Sequence, residues 1–305
     1  MSEEERAPYR PFDGGRFRPA MGLMPLNESN WLEIDRHFAA GLAEKRALLA
    51  ERHGEVFAAL PAAAAPASEL LALLAAHLPR HHPEIFRREN DRLFNRANGE
   101  DWDLTRGDLH PLDLAGRLVQ EDLCLLEAAS DSYRLIGATL CSPSRWRLAE
   151  KIGRPLAAIH APVPGYGAAL ARPVDRFFAH LKPGKLVWRL NWGVLDDPAP
   201  FQPVAAPAAS ITAEKAGELL WLRVERQTLR RLVATGAVVF AIRTHITPLA
   251  AAIRMPADAA DLAAAIRAMP EDMRRYKRIA LFAPAVLAWL DQRAGAAAAP
   301  VLCWE

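Results

Sequence analysis

The first hundred residues of the chain place apolar side chains at the three- and four-residue spacing of a helix. Residues 31–60 (WLEIDRHFAAGLAEKRALLAERHGEVFAAL) combine this period with strong helix formers, which predicts one long helix. Asn30 is in position to cap that helix, with Glu33 at the capping-box position.

A second apolar run predicts a shorter helix over residues 68–78 (SELLALLAAHL). We expect it to end before Pro79, because proline lacks the N–H group that a helix needs. No membrane segment is expected in this region, since Pro61, Pro66 and Glu69 interrupt the apolar run before it reaches the thickness of a bilayer.

Residues 81–108 are polar and rich in turn formers, which predicts a connector or an exposed arm. From about Gln120 the apolar spacing shortens. Residues 121–141 (EDLCLLEAASDSYRLIGATLC) hold two strand-like runs on either side of a turn segment at residues 128–132. This is the pattern of a β-hairpin with a longer loop.

Short helical stretches are predicted after this hairpin. One covers residues 142–153 (SPSRWRLAEKIG), and another covers residues 165–181 (GYGAALARPVDRFFAHL), broken or kinked at Pro173. His160 lies between them in RPLAAIHAPVPGYG, where two prolines follow an apolar run.

Three further strands are predicted from the alternation of side chains at period two. They cover residues 185–195 (KLVWRLNWGVL), 219–232 (LLWLRVERQTLRRL) and 235–249 (TGAVVFAIRTHITPL). The last two are joined by a hairpin loop that ends in Gly236. Three helical pieces close the chain, at residues 258–269, 271–279 and 284–295.

The order of these elements predicts an α+β fold. Two strands, several short helices and three strands in succession match a PAS-like antiparallel sheet with short helices, by analogy at the level of the fold. We therefore expect an N-terminal helical extension over residues 1–119 and a PAS-like core over residues 120–250. C-terminal helices over residues 251–305 would pack on that core.

Composition and charge narrow the class of protein. Hydrophobic residues make up 51% of the 305, so the chain can bury a full core. The 38 Lys and Arg residues are scattered and face 36 Asp and Glu residues, so a nucleic-acid partner is not expected. The N-terminal MSEEERAPYRPFDGG lacks the apolar region of a secretory signal, and we expect a cytoplasmic location.

The three cysteines are Cys124, Cys141 and Cys303. They are far apart and form no C-x-x-C pair, so neither a disulfide framework nor a zinc or iron–sulfur cluster is expected within this chain. A reducing compartment fits this usage, and any iron–sulfur chemistry would come from another polypeptide.

Several motifs that carry chemistry are missing from the sequence, including G-x-G-x-x-G, the Walker loop, the G-x-S-x-G elbow and H-E-x-x-H. His77 and His81 have the spacing of metal ligands on a helix, but we expect Pro79 between them to interrupt that helix. A solvated basic loop is the interpretation that we prefer for this pair.

Charged residues on one predicted strand face point to a polar site. Arg223, Glu225 and Gln227 occupy alternate positions in an otherwise apolar stretch of sequence. Burying a charge is costly unless the charge is paired. They form either an exposed sheet face with an Arg–Glu pair or an organised site. The neighbouring strands add three polar side chains, Arg189, Asn191 and Arg243. Together they would make a cationic wall for a ligand that bears a carboxylate.

His160 has two interpretations. Most histidines in apolar stretches of sequence are core residues whose ring nitrogens are hydrogen-bonded. Pro162 and Pro164, however, stiffen the backbone after His160, and its apolar surroundings favour the neutral imidazole that binds a metal. One histidine cannot hold a bare metal ion, but it can be the axial ligand of a haem, whose propionates need arginines.

Several long segments resemble one known family. LVQEDLCLL, PSRWRLAEKIGRPLAAIHAPVPGY, VWRLNWGVLDDP and LWLRVERQTLRRLVATGAVVFAIRT are similar to the alpha subunit of haem-dependent oxidative N-demethylases, formerly a domain of unknown function. The likeness runs from RPFDGGRFRPAMGLMPL near the N-terminus to about Trp289, which is nearly the whole chain.

The resemblance implies a haem b protein in which the PAS-like core binds the haem. Its reaction would be the oxidative N-demethylation of a small secondary amine such as dimethylamine, with O2 and with electrons from NADPH. The electrons would arrive from a partner reductase subunit that carries FMN and a two-iron ferredoxin cluster. Hydroxylation of the amine methyl group would give a carbinolamine that breaks down to formaldehyde and the smaller amine.

The same resemblance implies roles for individual residues. We expect His160 to be the axial ligand of the haem iron, and Glu225 to be the catalytic group that meets the amine or manages protons. Arg223 and Arg226, with Arg243 behind them, are expected to bind the propionates. The remaining residues expected at the cofactor are Arg189, Asn191 and Trp192.

The sequence departs from the family pattern at two positions. Val233 stands where a proline is usual, and His245 stands where an aromatic residue is common. His245 is therefore a rival axial ligand, and the identity of the amine stays open. Two other functions also stay open: a haem-binding PAS-type sensor, and a subunit that assembles with the flavoprotein without catalysing the reaction.

Overall fold

A seven-stranded antiparallel sheet forms the centre of the computed structural model, which describes residues 7–17, 21–129, 132–205 and 210–295. In chain order the strands are β1 (Met24–Leu26), β2 (Phe57–Ala59), β3 (Phe86–Glu89), β4 (Arg92–Asn95), β5 (Glu100–Asp103), β6 (Asp122–Ala128), β7 (Tyr133–Thr139), β8 (Leu186–Leu195), β9 (Trp221–Arg231) and β10 (Val238–Pro248). The large sheet has the order β1-β8-β9-β10-β6-β7-β2, and a second sheet has the order β3-β4-β5.

The described residues also contain eleven α-helices, most of them short. They are α1 (Phe38–Glu51), α2 (His53–Val56), α3 (Ala64–His81), α4 (Pro111–Leu118), α5 (Leu156–Ile159), α6 (Ala171–His180), α7 (Ala216–Leu219), α8 (Leu249–Ala252), α9 (Pro256–Ala268), α10 (Glu271–Tyr276) and α11 (Ala283–Gly295). A π-helical turn, Tyr166–Leu170, leads directly into α6. The fold is therefore a mixture of helices and antiparallel sheet.

The five strands that the sequence predicted are all present, and they lie next to one another in the large sheet. β6 and β7 form the predicted hairpin, although residues 130–131 of its turn lie outside the described residues. β9 pairs with β8 on one side and with β10 on the other along nearly its whole length. Gly236 in the β9–β10 turn has a φ of 72°, in the left-handed region that favours glycine.

The N-terminal part contains strands that the helical spacing did not predict. The long helix predicted over residues 31–60 begins only at Phe38 and ends at Glu51, and Asn30 ends a 3-10 turn instead of capping it. The prediction was wrong because tertiary contacts hold residues before Phe38 against the sheet. β1 and β2 pair with β8 and β7 at the two edges of the large sheet.

α3 continues through Pro79, so the predicted end of this helix was wrong. Leu74 and Leu78, one turn apart on the same face near the end of the helix, are fully buried. Proline removes one N–H donor near the C-terminal end of the helix, and the burial of the apolar face outweighs that loss. The segment Pro61–His81 has the length and hydropathy of a membrane span, and half of its apolar window is buried inside the protein.

Residues 81–108 form a small sheet instead of an irregular connector. β3, β4 and β5 lie in this stretch, and two of its few apolar residues, Phe86 and Leu93, are buried in the core. Arg92 on β4 donates to Asp101 on β5, with 3.0 Å between Nε and Oδ1. The charged outer residues concealed the alternation of these short strands.

The helical stretch predicted over residues 142–153 was largely wrong. This stretch is a loop with one 3-10 turn, Leu148–Glu150, and Arg145 in it has a φ of 63° and pairs with Asp196. The stretch predicted over residues 165–181 does form α6 after its π-helical turn. Pro173 lies in the first turn of α6, where N–H groups have no partner within the helix to lose.

Apolar side chains cover both faces of the large sheet. On the face that we name the α6 face, Leu126 and Leu229 pack with Phe178 of α6. On the opposite face, named the α9 face, Val224 packs in one cluster with Leu262 of α9. Different helices therefore cover the two faces of the large sheet, and a polar site on the sheet belongs to one face or the other.

Candidate functional site

A cluster of polar side chains lies on the α6 face, where β8 and β9 pair. Glu225 is at its centre. The Arg223 Nε donates to one carboxylate oxygen at 3.2 Å, and the amides of Asn191 and Gln227 donate to the other at 3.1 and 3.0 Å. We call these four residues the Glu225 cluster.

The sheet register explains why these four side chains meet. Asn191 lies directly opposite Glu225 across the β8–β9 pair, and Arg223 and Gln227 are two residues away along β9. Arg223 is only 2% exposed, and its Nη2 also donates to the carbonyl oxygen of Ser142 at 2.6 Å. Of the two interpretations of this strand face, the geometry therefore favours an organised network over an exposed ion pair.

The surroundings keep the Glu225 carboxylate ionised. Burial raises the pKa of this carboxyl, but Arg223, the Asn191 amide and Lys277 outweigh burial, and its pKa lies below the ordinary value. The cluster thus presents a fixed negative charge within a mainly cationic setting.

Lys277, which directly follows α10, extends the Glu225 cluster. Its Nζ donates to the backbone carbonyl oxygen of Trp192 at 2.6 Å and to the Asn191 Oδ1 at 3.2 Å. Burial lowers the pKa of this amine to about 8, although Glu225 opposes the change. The sequence gives no signal for Lys277, because in EDMRRYKRI it is one of several basic residues, and only tertiary packing brings it to β8.

Arg189 of β8 has a buried donor without a partner. Within the described part of the chain, no acceptor bonds to its Nε. Burial lowers the pKa of Arg189, and Glu225 opposes that shift. A buried guanidinium nitrogen that lacks an acceptor fits an anionic group such as a carboxylate.

His160 follows α5, and its neighbours fix the direction of its ring. Nδ1 donates to the carbonyl oxygen of Leu156 at 2.9 Å, and the ring stacks on Tyr166 with 4.6 Å between centroids. Nε2 therefore carries the lone pair, and nothing among the described residues bonds to it. Burial lowers the pKa of His160, and Lys151 and Arg189 add to this shift, which favours the neutral ring.

Four of the predicted site residues lie on the α9 face: Arg226, Arg243, Trp192 and His245. Side chains alternate between the two faces of a strand, and these four occupy positions between those of the Glu225 cluster and its neighbours. The structure brings Arg189, Asn191, Arg223 and Glu225 together on the α6 face. It does not bring the other four to that side.

On the α9 face these side chains hold the N-terminal segment against the sheet. Arg226 donates to the backbone carbonyl oxygen of Trp31 at 3.1 Å, and the Arg243 Nη2 lies 2.7 Å from an Asp35 carboxylate oxygen. Trp192 packs edge-on against Phe12, with 6.0 Å between ring centroids. These contacts stabilise the fold without a ligand.

A cavity of about 610 Å³ opens on the α9 face and includes Tyr9, Glu33, Trp188, Arg226 and His245 in its lining. Its charged groups already bond to one another. Glu33 accepts from the Tyr9 hydroxyl and lies 3.0 Å from the His245 Nε2, while the Arg226 Nε is 3.5 Å away. The rival histidine is therefore engaged through a ring nitrogen, in contrast to the open Nε2 of His160.

Metal binding by several side chains has no support in the described part of the chain. No group of three or more His, Cys, Asp and Glu side chains there could hold a metal ion. Because α3 continues through Pro79, the rings of His77 and His81 lie close together, with 4.4 Å between their centroids. A haem, in contrast, requires a single protein ligand of the kind that His160 offers.

One comparison with known proteins covers most of the chain. A family model described as "Haem-dependent oxidative N-demethylase, alpha subunit-like" matches residues 22–287. The matched range contains the Glu225 cluster, Arg189, His160 and Lys277. It agrees with the resemblance that the sequence segments indicated.

Proposed function

The chain belongs to the haem-dependent oxidative N-demethylase alpha subunit-like family, and from this membership we propose that it oxidises a small secondary amine such as dimethylamine with O2. The family name implies a haem-dependent, oxidative enzyme with more than one subunit. One observation carries the proposal for this chain. The α6 face holds a fixed carboxylate within a network of buried donors, and a histidine with an open Nε2 lies in the connection that covers this face.

Several features of the α6 face support haem binding there. His160 meets the requirements of an axial ligand, because its Nδ1–H is held by a backbone carbonyl and its Nε2 is directed away from that bond. Apolar side chains suited to a porphyrin pack on the same face of the sheet, among them Leu148, Leu156 and Phe178. Haem b bound there would supply the binding and activation of O2.

Arg189 and Arg223 are the arginines that we propose for the propionates. The orphaned Nε of Arg189 supports this assignment, since a propionate would satisfy it. Arg226 and Arg243 were expected in this role, but their guanidinium groups face the N-terminal segment on the other side of the sheet. For Trp192, its packing on Phe12 supports a role in the core in place of cofactor binding.

Glu225 is the group that we propose to hold the amine. A protonated secondary amine carries a positive charge and N–H donors, and the ionised Glu225 carboxylate accepts both. Asn191 and Gln227 fix the direction of the carboxylate. The proposed reaction hydroxylates the methyl group of the amine, and the carbinolamine then releases formaldehyde and the smaller amine.

The PAS-like nature of residues 120–250 is part of the proposal. The two-strand hairpin, the connection with short helices and the three later strands all lie in this range. The five strands are contiguous in the sheet, and α5 and α6 cover one face, which supports a PAS-like, haem-binding core. Residues 1–119 and 251–305 remain the proposed extensions, although β1 and β2 add to both edges of the same sheet.

The proposed electron donor is a reductase subunit that carries FMN, a two-iron ferredoxin cluster and an NADPH site. The "alpha subunit" in the family name supports a complex with such a partner. Cys124 and Cys141 are buried as free thiols, and Cys303 lies outside the described residues. These thiols are compatible with the cytoplasmic location that we propose.

An absorption spectrum of the purified chain, reconstituted with haemin, tests the haem proposal. We expect a Soret band. Its absence would leave a subunit that assembles with the flavoprotein, without haem, as the remaining hypothesis. With a reductase partner, dimethylamine-dependent formaldehyde release coupled to NADPH oxidation distinguishes the enzyme from a PAS-type sensor. A sensor would bind haem and oxidise no amine.

Two matched variants test the axial ligand. We expect His160→Ala to lose the spectrum of the native haem complex and His245→Ala to keep it, because the His245 Nε2 is bonded to Glu33. The reverse result would assign the iron to His245 and move the cofactor to the α9-face cavity.

A further inference from the structure

Lys277 is a side chain next to the Glu225 cluster that the proposed function leaves unused. Its Nζ has two acceptors, the carbonyl oxygen of Trp192 and the side-chain oxygen of Asn191. A neutral amine has two N–H donors and one lone pair, whereas an ammonium group has three donors. Two acceptors therefore satisfy the neutral amine and leave its lone pair available for reaction.

The charges that face Lys277 come from two strands. Glu225 on β9 favours the ammonium form, and Arg189 on β8 disfavours it. Burial is the larger effect and lowers the pKa of Lys277 to about 8. A substantial fraction of this amine is therefore neutral near physiological pH, unlike that of an exposed lysine.

We propose that Lys277 is a covalent capture site for small aldehydes, with formaldehyde as the aldehyde that the site itself produces. The choice of formaldehyde rests on the proposed function, but the reactivity of the amine does not. Nζ lies one hydrogen bond from Asn191, which in turn bonds to Glu225, the residue proposed to hold the amine. Formaldehyde released at the Glu225 cluster would therefore form two hydrogen bonds away from Lys277.

The capture step is an addition without any redox change. The Nζ lone pair forms a C–N bond with the aldehyde carbon, the C=O π bond breaks, and a proton moves from nitrogen to the new alkoxide oxygen. Loss of water from this carbinolamine gives an imine, which takes up a proton from solvent to become an iminium ion, and all of these steps reverse in water. A hydride donor such as cyanoborohydride traps the iminium as a stable N-methyl amine.

The other lysines provide internal controls. Lys182, Lys185 and Lys215 are exposed. Lys45 also has two backbone acceptors, but it is only 5% exposed. Capture by Lys277 can therefore be compared with three exposed amines and one enclosed amine of the same chain.

Reductive methylation of the full-length chain tests the proposal. The chain is incubated with formaldehyde and cyanoborohydride over a range of pH, and methylation is mapped by peptide mass spectrometry. At pH 8 we expect Lys277 to react about tenfold faster than Lys182, Lys185 and Lys215, because its larger neutral fraction outweighs its lower basicity. The rate of Lys277 should level off above that pH. Methylation of Lys277 no faster than that of the exposed lysines would overturn the proposal.

Lys277→Arg is the matched variant, since arginine keeps the charge and the donors but lacks the nucleophilic amine. In this variant, the methylation at residue 277 should be lost, while that of Lys182, Lys185 and Lys215 should stay as in the wild type. The labelling needs no haem, electron donor or amine substrate. Its failure would therefore contradict the proposal for Lys277 and not the proposed function. Failure of haem binding or of formaldehyde release removes the proposed function and leaves the labelling result unchanged.

Discussion

Two histidines of this chain show how surroundings determine the role of one side-chain type. His160 has one nitrogen fixed by Leu156 and the other open. His77 is 4% exposed and lies edge-on against Trp31, with 5.0 Å between ring centroids. Burial and the neighbouring His81 lower the pKa of His77 to about 4, so it is a neutral core residue.

The buried His77 makes stability depend on pH. Its pKa of about 4 in the folded state is below the unfolded value of about 6.5, so the unfolded chain binds a proton that the folded chain does not. Stability is therefore complete above about pH 6.5 and falls as the pH decreases towards 4. We expect His77→Phe to reduce the loss between pH 7 and pH 5 by about 2 kcal/mol, measured by urea unfolding at both pH values.

His180 provides the control for this measurement, because it is exposed on α6. His180→Phe should leave the pH dependence of the wild-type chain unchanged. An equal pH dependence in the wild type and in His77→Phe would contradict the assigned role of His77.

At the scale of the element, β9 serves both faces of the sheet. Arg223, Glu225 and Gln227 point to the α6 face, and Arg226 between them bonds to the N-terminal segment on the α9 face. The alternation in the sequence already separates these residues into two sets. Which set meets the cofactor depends on the helices that cover each face.

The C-terminal helices depend on a close contact at Gly217 of α7. A Cβ atom added there would lie 2.6 to 2.8 Å from ring atoms of Trp289 in α11, and the buried ring has little room to move. We expect Gly217→Ala to destabilise the chain by about 2 kcal/mol in urea unfolding, the usual cost of overpacking a core.

Gly54→Ala in α2 is the matched control, because a Cβ atom there would meet nothing within 4 Å. Alanine is the better helix former, so this variant should equal the wild type or exceed it by up to about 1 kcal/mol. A neutral Gly217→Ala would show that α7 and α11 pack less closely than described.

At the scale of the whole molecule, the α9 face and the α6 face of the sheet differ in what their polar side chains bind. Ion pairs and hydrogen bonds hold the N-terminal segment on the α9 face, among them Arg243–Asp35 and His245–Glu33. On the α6 face, the Arg189 Nε and the His160 Nε2 have no partner among the described residues. The α6 face therefore has groups beside the Glu225 cluster that a cofactor would satisfy.

Haem binding should therefore stabilise the folded chain. A ligand that binds only the folded state at a hundred times its Kd adds about 2.7 kcal/mol to the free energy of unfolding. We expect haemin to produce an increase of this size in the wild type and in His245→Ala, and little in His160→Ala, measured by urea unfolding. Equal stabilisation of all three proteins would show that neither histidine anchors the haem.

Much of the central sheet could be predicted because its signal is local. Two apolar runs around a turn located β6 and β7, period-two alternation located β8, β9 and β10, and Gly236 marked the turn between β9 and β10. The prediction failed where a distant contact overrides a local preference. Residues before Phe38 have a helical period but are held on the sheet by Arg226 and Arg243. The burial of α3 carries that helix past Pro79.

The candidate site divides in the same way. The sequence by itself determined which residues share a strand face, because alternation follows from backbone geometry, and it singled out His160 and Glu225. Only the tertiary structure decided that Arg226, Arg243 and His245 bond to the N-terminal segment, and that Lys277 joins the Glu225 cluster. Burial, hydrogen-bond partners and shifted pKa values depend on groups far apart in the chain, and local spacing carries no information about them.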